Sequence, residues 1–364
     1  MTPLRYSPEV ERPEEGEQAA IDGIVAGMSA QLAAVEAREG RAVRASHAKS
    51  TACAVGTMTV PDGLAPELAQ GLFARPATFD VAVRFAQGPG ETLGDRVSTH
   101  RGMAVKVFGP PGEIMGETIP ENDEGTQDFV LATGPTFASG TAKGFLRDGT
   151  AIGAAAALPE GVKSAASSLA RNLNRVLRPL GAESARAEFF GHPFSHPFAD
   201  SYFSQAPMRW GDHVAKVGAF PASPAQEAIR DWRLDPHQDE DGFRTASVAF
   251  LRAEEVVYEL RAQLWTNQDT QPIEDASVEW PVEESPYQAV ATIRLPRQEA
   301  HGEGRARFFD ERLTFRPAHS LLAHRPLGSV MRARLQAYGA LSALRHRETG
   351  VPEAHPAGVG GIPA

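Results

Sequence analysis

Apolar positions along the chain follow two periods. Ile21, Ile24, Val25, Met28, Leu32 and Val35 recur at i, i+3, i+4 and i+7, which predicts a helix closed by Gly40. The segment FDVAVRFA (79–86) alternates Phe79, Val81, Val83 and Phe85 with Asp80, Ala82, Arg84 and Ala86, the period of a strand. AVKVF (104–108), QDFVLA (127–132), SVAFL (247–251), YELRAQLW (258–265) and AVATIRL (289–295) read as further strands. SSLARNLNRVLRPL (167–180) puts Leu169, Leu173, Val176 and Leu180 on one helical face. A last helix runs from Leu327 to Arg347, beginning just after Pro326.

The strands come in two batches, with helices between and after them and no regular crossover helices. This order predicts an α+β fold built on a largely antiparallel sheet or barrel. No break in composition divides residues 16–348, which read as one domain. Residues 1–15, rich in proline and glutamate, read as an extended arm, and the Gly/Pro-rich residues 349–364 as a flexible tail.

The 364 residues are 42% hydrophobic and 23% charged, a globular composition that builds a core without staples. The net charge of −10 argues against an electrostatic nucleic-acid binder. The single cysteine, Cys53, excludes an internal disulfide and thiolate metal clusters within the chain, and reads as a small buried residue. The first twenty residues are acidic and lack a signal-like apolar run, and Ala151–Leu158 is too short to span a bilayer. The expectation is a soluble cytoplasmic protein without membrane partners.

Three patterns carry little chemistry. GPGETLG (88–94) fits no phosphate-binding spacing and reads as a turn. His192 and His196 have the spacing of a metal pair on a helix, which Pro193 and Pro197 argue against. HQDED (237–241) reads as a solvated loop.

The last helix carries the strongest signal. At about 100° per residue, Arg334, Tyr338 and Arg345 fall within about 40° of one another, beside Leu327, Val330 and Leu341. One reading is a solvated face with snorkelling arginines. The other is a buried tyrosinate: an arginine one turn before a tyrosine favours the phenolate, a hard ligand for ferric iron.

Here the sequence resembles a known family. Arg334-Leu335-Gln336-Ala337-Tyr338 resembles the RxxxY proximal motif of haem catalases. RASHAKS (44–50) resembles their R-x-x-H-x-K-G, VRFA (83–86) their VRFS, and DRVSTHRGMAVKVF (95–108) their D-x-V-R-D-x-R-G-F-A-x-K-F. SYFSQAPMRWGDHVAK (201–216), QPIEDASVEWP (271–281) and LTFRPAHSLLAHRPLG (313–328) extend the match, the last in the version found in short catalase-related proteins.

The resemblance implies an antiparallel β-barrel core that binds haem b, with surrounding helices. It also implies that the helical and flavodoxin-like additions of longer catalases are lacking, since the chain ends 26 residues after Tyr338. Tyr338 becomes the iron ligand, Arg334 keeps it deprotonated, and His47 is the distal acid–base. Arg44, Arg84 and Arg345 pair with the haem propionates, and Phe145 packs near the ring.

Two departures matter. Ala132 falls where the family has the asparagine that orients peroxide, with Thr133 beside it as a substitute donor, and Ala86 falls where a serine orients the histidine. Ser46 replaces the valine before the distal histidine, placing a hydroxyl near the peroxide. The implied function is a haem-dependent peroxidase of the catalase-related group, using hydrogen peroxide or an organic hydroperoxide with an electron donor, with at most weak catalase activity. Self-association into a homo-oligomer is implied as well. The alternatives are a hydroperoxide isomerase or dehydratase resembling allene oxide synthase, and a non-catalytic haem-binding protein of the same fold.

Overall fold

In the computed structural model, described for residues 2–115, 125–156, 158–177, 179 and 184–364, the two batches of strands close into one barrel. Nine strands are formed: β1 (Ser50–Val60), β2 (Ala77–Gln87), β3 (Arg101–Phe108), β4 (Thr126–Ala132), β5 (Tyr202–Phe203), β6 (Met208–Trp210), β7 (His213–Pro221), β8 (Val256–Leu264) and β9 (Gln288–Leu295). Every pairing is antiparallel. The order β5-β4-β3-β2-β1-β9-β8-β7 closes on itself because β5 pairs with both β4 and β7, and β6 hangs on β7. Closure leaves eight strands without a free edge, and side chains fill the interior.

The alternation read in 79–86 decides which side chains enter that interior. Val81, Val83 and Phe85 point inward, where Phe85 meets Phe198 at 5.0 Å and Tyr202 at 5.8 Å between ring centres. Ala82 packs in a separate outer cluster with Cys53 and Phe309. Arg84 and Ala86 share that outer face by strand period, and both are buried. The wall of the barrel is therefore covered on this side, and the site lies there.

Among the described residues eight α-helices surround the barrel: α1 (Glu17–Glu39), α2 (Ala142–Ala156), α3 (Glu160–Leu177), α4 (Ala185–Phe190), α5 (Pro224–Ala228), α6 (Gly242–Ala253), α7 (Glu303–Arg307) and α8 (Ser329–Thr349). α1 ends at Gly40 as its pattern predicts, with Gly40 donating its N–H to the Glu36 carbonyl. Its mean hydropathy of 1.2 and its length would suffice to cross a membrane, a property the short patch at 151–158 does not reveal. Here Ala20, Ile21 and Ile24 pack on Ala142 of α2 and Ala333 of α8.

Three expectations change. SVAFL is not a strand: it lies inside α6, where Phe243, Ser247 and Leu251 are buried at four-residue spacing that a five-residue window is too short to show. α3 is a helix, but the apolar face faces out. Leu169, Leu173 and Val176 are 73%, 50% and 65% exposed, while the buried positions are Ser167 and Asn174. Ser167 donates to the Ser98 carbonyl, and Asn174 exchanges two hydrogen bonds with the Ser184 backbone. Leu180 lies outside the described residues. Leu327 precedes α8 and packs on Trp265 and Trp280 instead of sharing a face with Tyr338.

The tail, read as flexible, lies against the core. Ala354 bridges Leu313, Val359 and Ile362 pack on the Phe308–Phe309 cluster, and the Pro363 carbonyl accepts from Arg305 Nε. At the N-terminus Leu4 N–H donates to the Trp265 carbonyl and Tyr6 N–H to that of Asp212, and Pro8–Val10 form a short 3-10 turn.

Buried histidines make the fold acid-sensitive. Burial pushes His324 down to about 3, and His196 and His100 down to about 4. The folded state keeps them neutral, whereas the unfolded chain takes up protons below about pH 6.5. Their contribution is complete above about 6.5 and is lost progressively between there and pH 4–3. His192, held up by Asp200 and Glu188 against the effect of burial, acts oppositely but is outnumbered. The melting temperature is therefore expected to fall from pH 6.5 to 5, above the carboxylate range. A flat profile in thermal melts across that window contradicts this.

Candidate active site

A cavity of about 520 Å³ lies between the outer face of the barrel wall and helices α1, α2 and α8, a size that ligand sites commonly have. Arg44, Ser46, His47, Phe145, Arg334, Tyr338 and Arg345 all line it. Residues up to about 300 positions apart in sequence thus meet in one place. Thr133 and Arg84 do not line it.

α8 supplies one wall. Val330, Arg334, Tyr338, Leu341 and Arg345 recur at three to four residues and turn to the cavity together. Arg334 Nη2 donates to Tyr338 Oη at 3.2 Å and to the Val130 carbonyl at 3.4 Å, with its guanidinium 5.3 Å from the tyrosine ring centre. The phenol oxygen is thus an acceptor of a charged donor. Phe145, from α2, stands against Phe137 with ring centres 5.4 Å apart.

The opposite wall is the loop before β1. His47 has φ +54°, a left-handed conformation that costs an ordinary residue about 1–2 kcal/mol. Its N–H donates to the Gly88 carbonyl at 2.9 Å, and its own carbonyl accepts from Arg84 Nη2 at 2.9 Å. Beneath the ring, Ala86, Gly102 and Ala132 align in register across β2, β3 and β4. A Cβ on Gly102 would fall 2.8 Å from His47 Nδ1, so only glycine lets the imidazole lie on the strand. Nδ1 is buried and has no hydrogen-bond partner, in keeping with Ala86 lacking the serine hydroxyl. Desolvation, then His100, Arg84 and Arg334, holds His47 well below the ordinary histidine range, so it is a neutral base at pH 7.

Two expectations need correcting. Thr133 does not face the cavity: its hydroxyl accepts the Arg101 N–H at 3.0 Å, the next strand having claimed it. Arg84 sits beneath the His47 loop, where Nε donates to Asp310 Oδ1 at 2.9 Å. Both point along the barrel wall because strand period and register, which residue type does not report, aim them there.

The remaining arginines form a cationic end. Arg44 donates to the Phe309 and Leu313 carbonyls, each at 2.6 Å, and its buried Nε has no partner. Arg345 donates to the Glu311 carbonyl at 2.6 Å. Desolvation, Arg84 and Arg345 hold Arg44 well below its ordinary range, and burial lowers Arg345 to about 10. Among the described residues Arg44, Arg84, Arg316 and Arg345 face two carboxylates, Asp310 and Glu353. Two positive charges remain uncompensated at the edge of the cavity, and a dianionic group would neutralise them.

Sequence reading missed His100, Gln205 and Asp310. Gln205 lines the cavity at φ +63° and donates to the Thr133, Gly134 and Thr136 carbonyls, fixing the end of β4. GPGETLG is a turn as read, yet Gly88 and Pro89 supply carbonyls that hold His47 and Ala48. His192 and His196 do not converge: His192 lies between Glu188 and Asp200, and His196 Nδ1 accepts the Phe198 N–H. No cluster of potential metal ligands of the His, Cys, Asp and Glu type occurs among the described residues. Cys53 is fully buried, its thiol pushed up to about 12 by burial.

No family model matches the sequence, and no curated protein sequence does. Solved structures do. A fungal catalase matches with TM-score 0.59 at 16% identity over 85% of this chain and 60% of its own. Catalase A from Saccharomyces cerevisiae matches with TM-score 0.59 at 16% identity over 88% and 66%, and a bacterial catalase with 0.58 at 16% over 85% and 58%. This chain has the catalase fold. It spans about 58–66% of the length of those three catalases. The catalase fold survives at 16% identity because barrel packing tolerates hydrophobic exchange. The site is therefore argued from the residues present here.

Proposed function

We propose that the chain is a haem-dependent peroxidase of the catalase-related type, reducing hydrogen peroxide or organic hydroperoxides at the expense of an external electron donor, with at most weak catalase activity. The observation that carries this reading is the convergence of His47, the Arg334–Tyr338 pair and a doubly uncompensated arginine cluster on one cavity. Haem b, when bound, supplies the iron centre that exchanges electrons with the peroxide.

The residues fit that group. Tyr338 offers an oxygen ligand, and Arg334 already donates a hydrogen bond to that oxygen. Arg44 and Arg345 line the cavity and take the two propionates, while Arg84 tethers the loop that bears His47. His47, neutral at pH 7, accepts the peroxide proton. Ile24, Phe145, Val330 and Ala333 make the walls apolar. Ala132 has no polar side-chain atom for the peroxide, which is why catalase turnover is expected to be weak.

Haemin added to the purified protein tests this. A ferric-tyrosinate absorption spectrum is expected, lost in Tyr338→Phe, together with peroxide reduction that depends on a donor. An unchanged spectrum in Tyr338→Phe overturns the assignment. One observation favours a second reading, hydroperoxide isomerisation or dehydration: Ser46 lines the cavity next to His47. Conversion of a fatty-acid hydroperoxide without any donor supports it, and strict donor dependence removes it.

A further inference from the structure

Beside His47 the cavity is lined by a second histidine, His100, that the proposed function leaves unused. Its ring stands edge-on to that of His47, with centres 5.3 Å apart and planes at 82°. It lies flat on Phe189 at 4.0 Å and 16°. Its backbone is pinned on both sides: His100 N–H donates to the Phe189 carbonyl at 3.1 Å, and its own carbonyl accepts the Gly88 N–H at 2.9 Å. A Cβ on Gly88 would fall 2.3 Å from His100 Cε1, so residue 88 leaves room for this ring by having no side chain.

The same contacts fix the tautomer. Nδ1 lies 3.2 Å from the Phe189 carbonyl oxygen. A carbonyl only accepts, so Nδ1 carries the hydrogen and Nε2 keeps a lone pair. Nε2 forms no hydrogen bond to a described residue. Burial is the main reason the ring stays neutral, with a value near 4, and the titratable groups that face it are His47, Glu188 and His192. A neutral imidazole with a bare nitrogen therefore stands in the cavity wall at neutral pH.

Under His47 the Gln205 amide nitrogen is taken up by the Thr133, Gly134 and Thr136 carbonyls. Ala132 lines the cavity with a methyl, and the Thr133 hydroxyl is committed to Arg101. We propose that His100 Nε2 accepts a hydrogen bond from one O–H of hydrogen peroxide and holds it beside His47, the orienting task for which Ala132 has no polar atom. This rests on the peroxide-reducing reading. His100 accepts from one O–H of hydrogen peroxide and His47 takes the proton of the other, so the two imidazoles divide the work.

Two measurements decide it. In apo-protein labelled with ¹⁵N-histidine, long-range ¹H–¹⁵N spectra are expected to show His100 as the Nδ1–H tautomer, without titration between pH 5 and 8. An Nε2–H tautomer, or titration near pH 6.5, overturns the proposal. In haem-loaded protein, His100→Phe keeps the aromatic stack on Phe189 and removes the acceptor. It is expected to raise KM for hydrogen peroxide at least tenfold with a smaller change in kcat, and His100→Gln, which restores an acceptor, recovers most of the loss. A chain that takes up no haem overturns the functional reading and this proposal with it. A chain that loads haem, consumes peroxide and keeps its KM in His100→Phe overturns this proposal alone.

Discussion

Replacing His47 by glycine is expected to lower kcat/KM for hydrogen peroxide by about 10²–10⁴-fold while haem uptake and the Tyr338-dependent spectrum persist. The magnitude is that of losing a positioned general acid–base. His47 is the residue to lose it because it is a neutral imidazole at the cavity wall, held in place by Gly88 and Arg84 and seated on Gly102. Glycine is chosen over alanine for a reason of backbone energy. At φ +54° any residue with a Cβ is strained, and glycine relieves roughly 1 kcal/mol, which offsets part of the packing lost with the ring. Loss of turnover then cannot be assigned to loss of fold, which a thermal melt of the same sample checks. Turnover within tenfold of the parent removes His47 from the reaction.

The features legible in the sequence are those carried by period and local motif. Strand alternation in 79–86 is enough to separate Val83 and Phe85 inside the barrel from Arg84 and Ala86 outside it. The spacing of Arg334, Tyr338 and Arg345 on one helix is enough to put all three on the cavity. What could not be read depends on which face of an element meets the rest of the protein. The apolar stripe of α3 is correct as a helix signal, and its burial is inverted because Ser167 and Asn174 have backbone partners to satisfy. Thr133 looks like a substitute for the missing asparagine until β3 claims its hydroxyl. Asp310 carries no motif, and His100 falls at a variable position of the one that contains it. They matter only because a segment more than 200 residues away, or a strand start facing Gly88, brings them against residues already suspected.

The second large effect is expected at the pair that supports His47 from below. Arg84→Met is expected to destabilise the protein by about 1–3 kcal/mol, the cost of leaving the acceptors of a half-buried ion pair without their donor. Arg84 is 5% exposed and gives Nε to Asp310 at 2.9 Å and Nη2 to the His47 and Ala48 carbonyls at 2.9 and 3.3 Å. Burial works to raise the Asp310 pKa, and Arg84, Ser50 and Arg44 more than offset it, so the carboxylate stays ionised. Without Arg84 that charge loses its main partner, and two backbone carbonyls of a strained turn lose their donor. Activity is therefore expected to fall together with stability, because the turn that aims His47 loosens. Asp310→Asn removes the charge and keeps the shape, so the double variant Arg84→Met/Asp310→Asn is expected to recover stability relative to Arg84→Met while leaving the activity low. Urea unfolding of the four proteins measures the coupling, and peroxide consumption separates the two roles. Additive free energies across the cycle would show that the pair is not coupled. Full activity in the double variant would show that the His47 turn does not need Arg84.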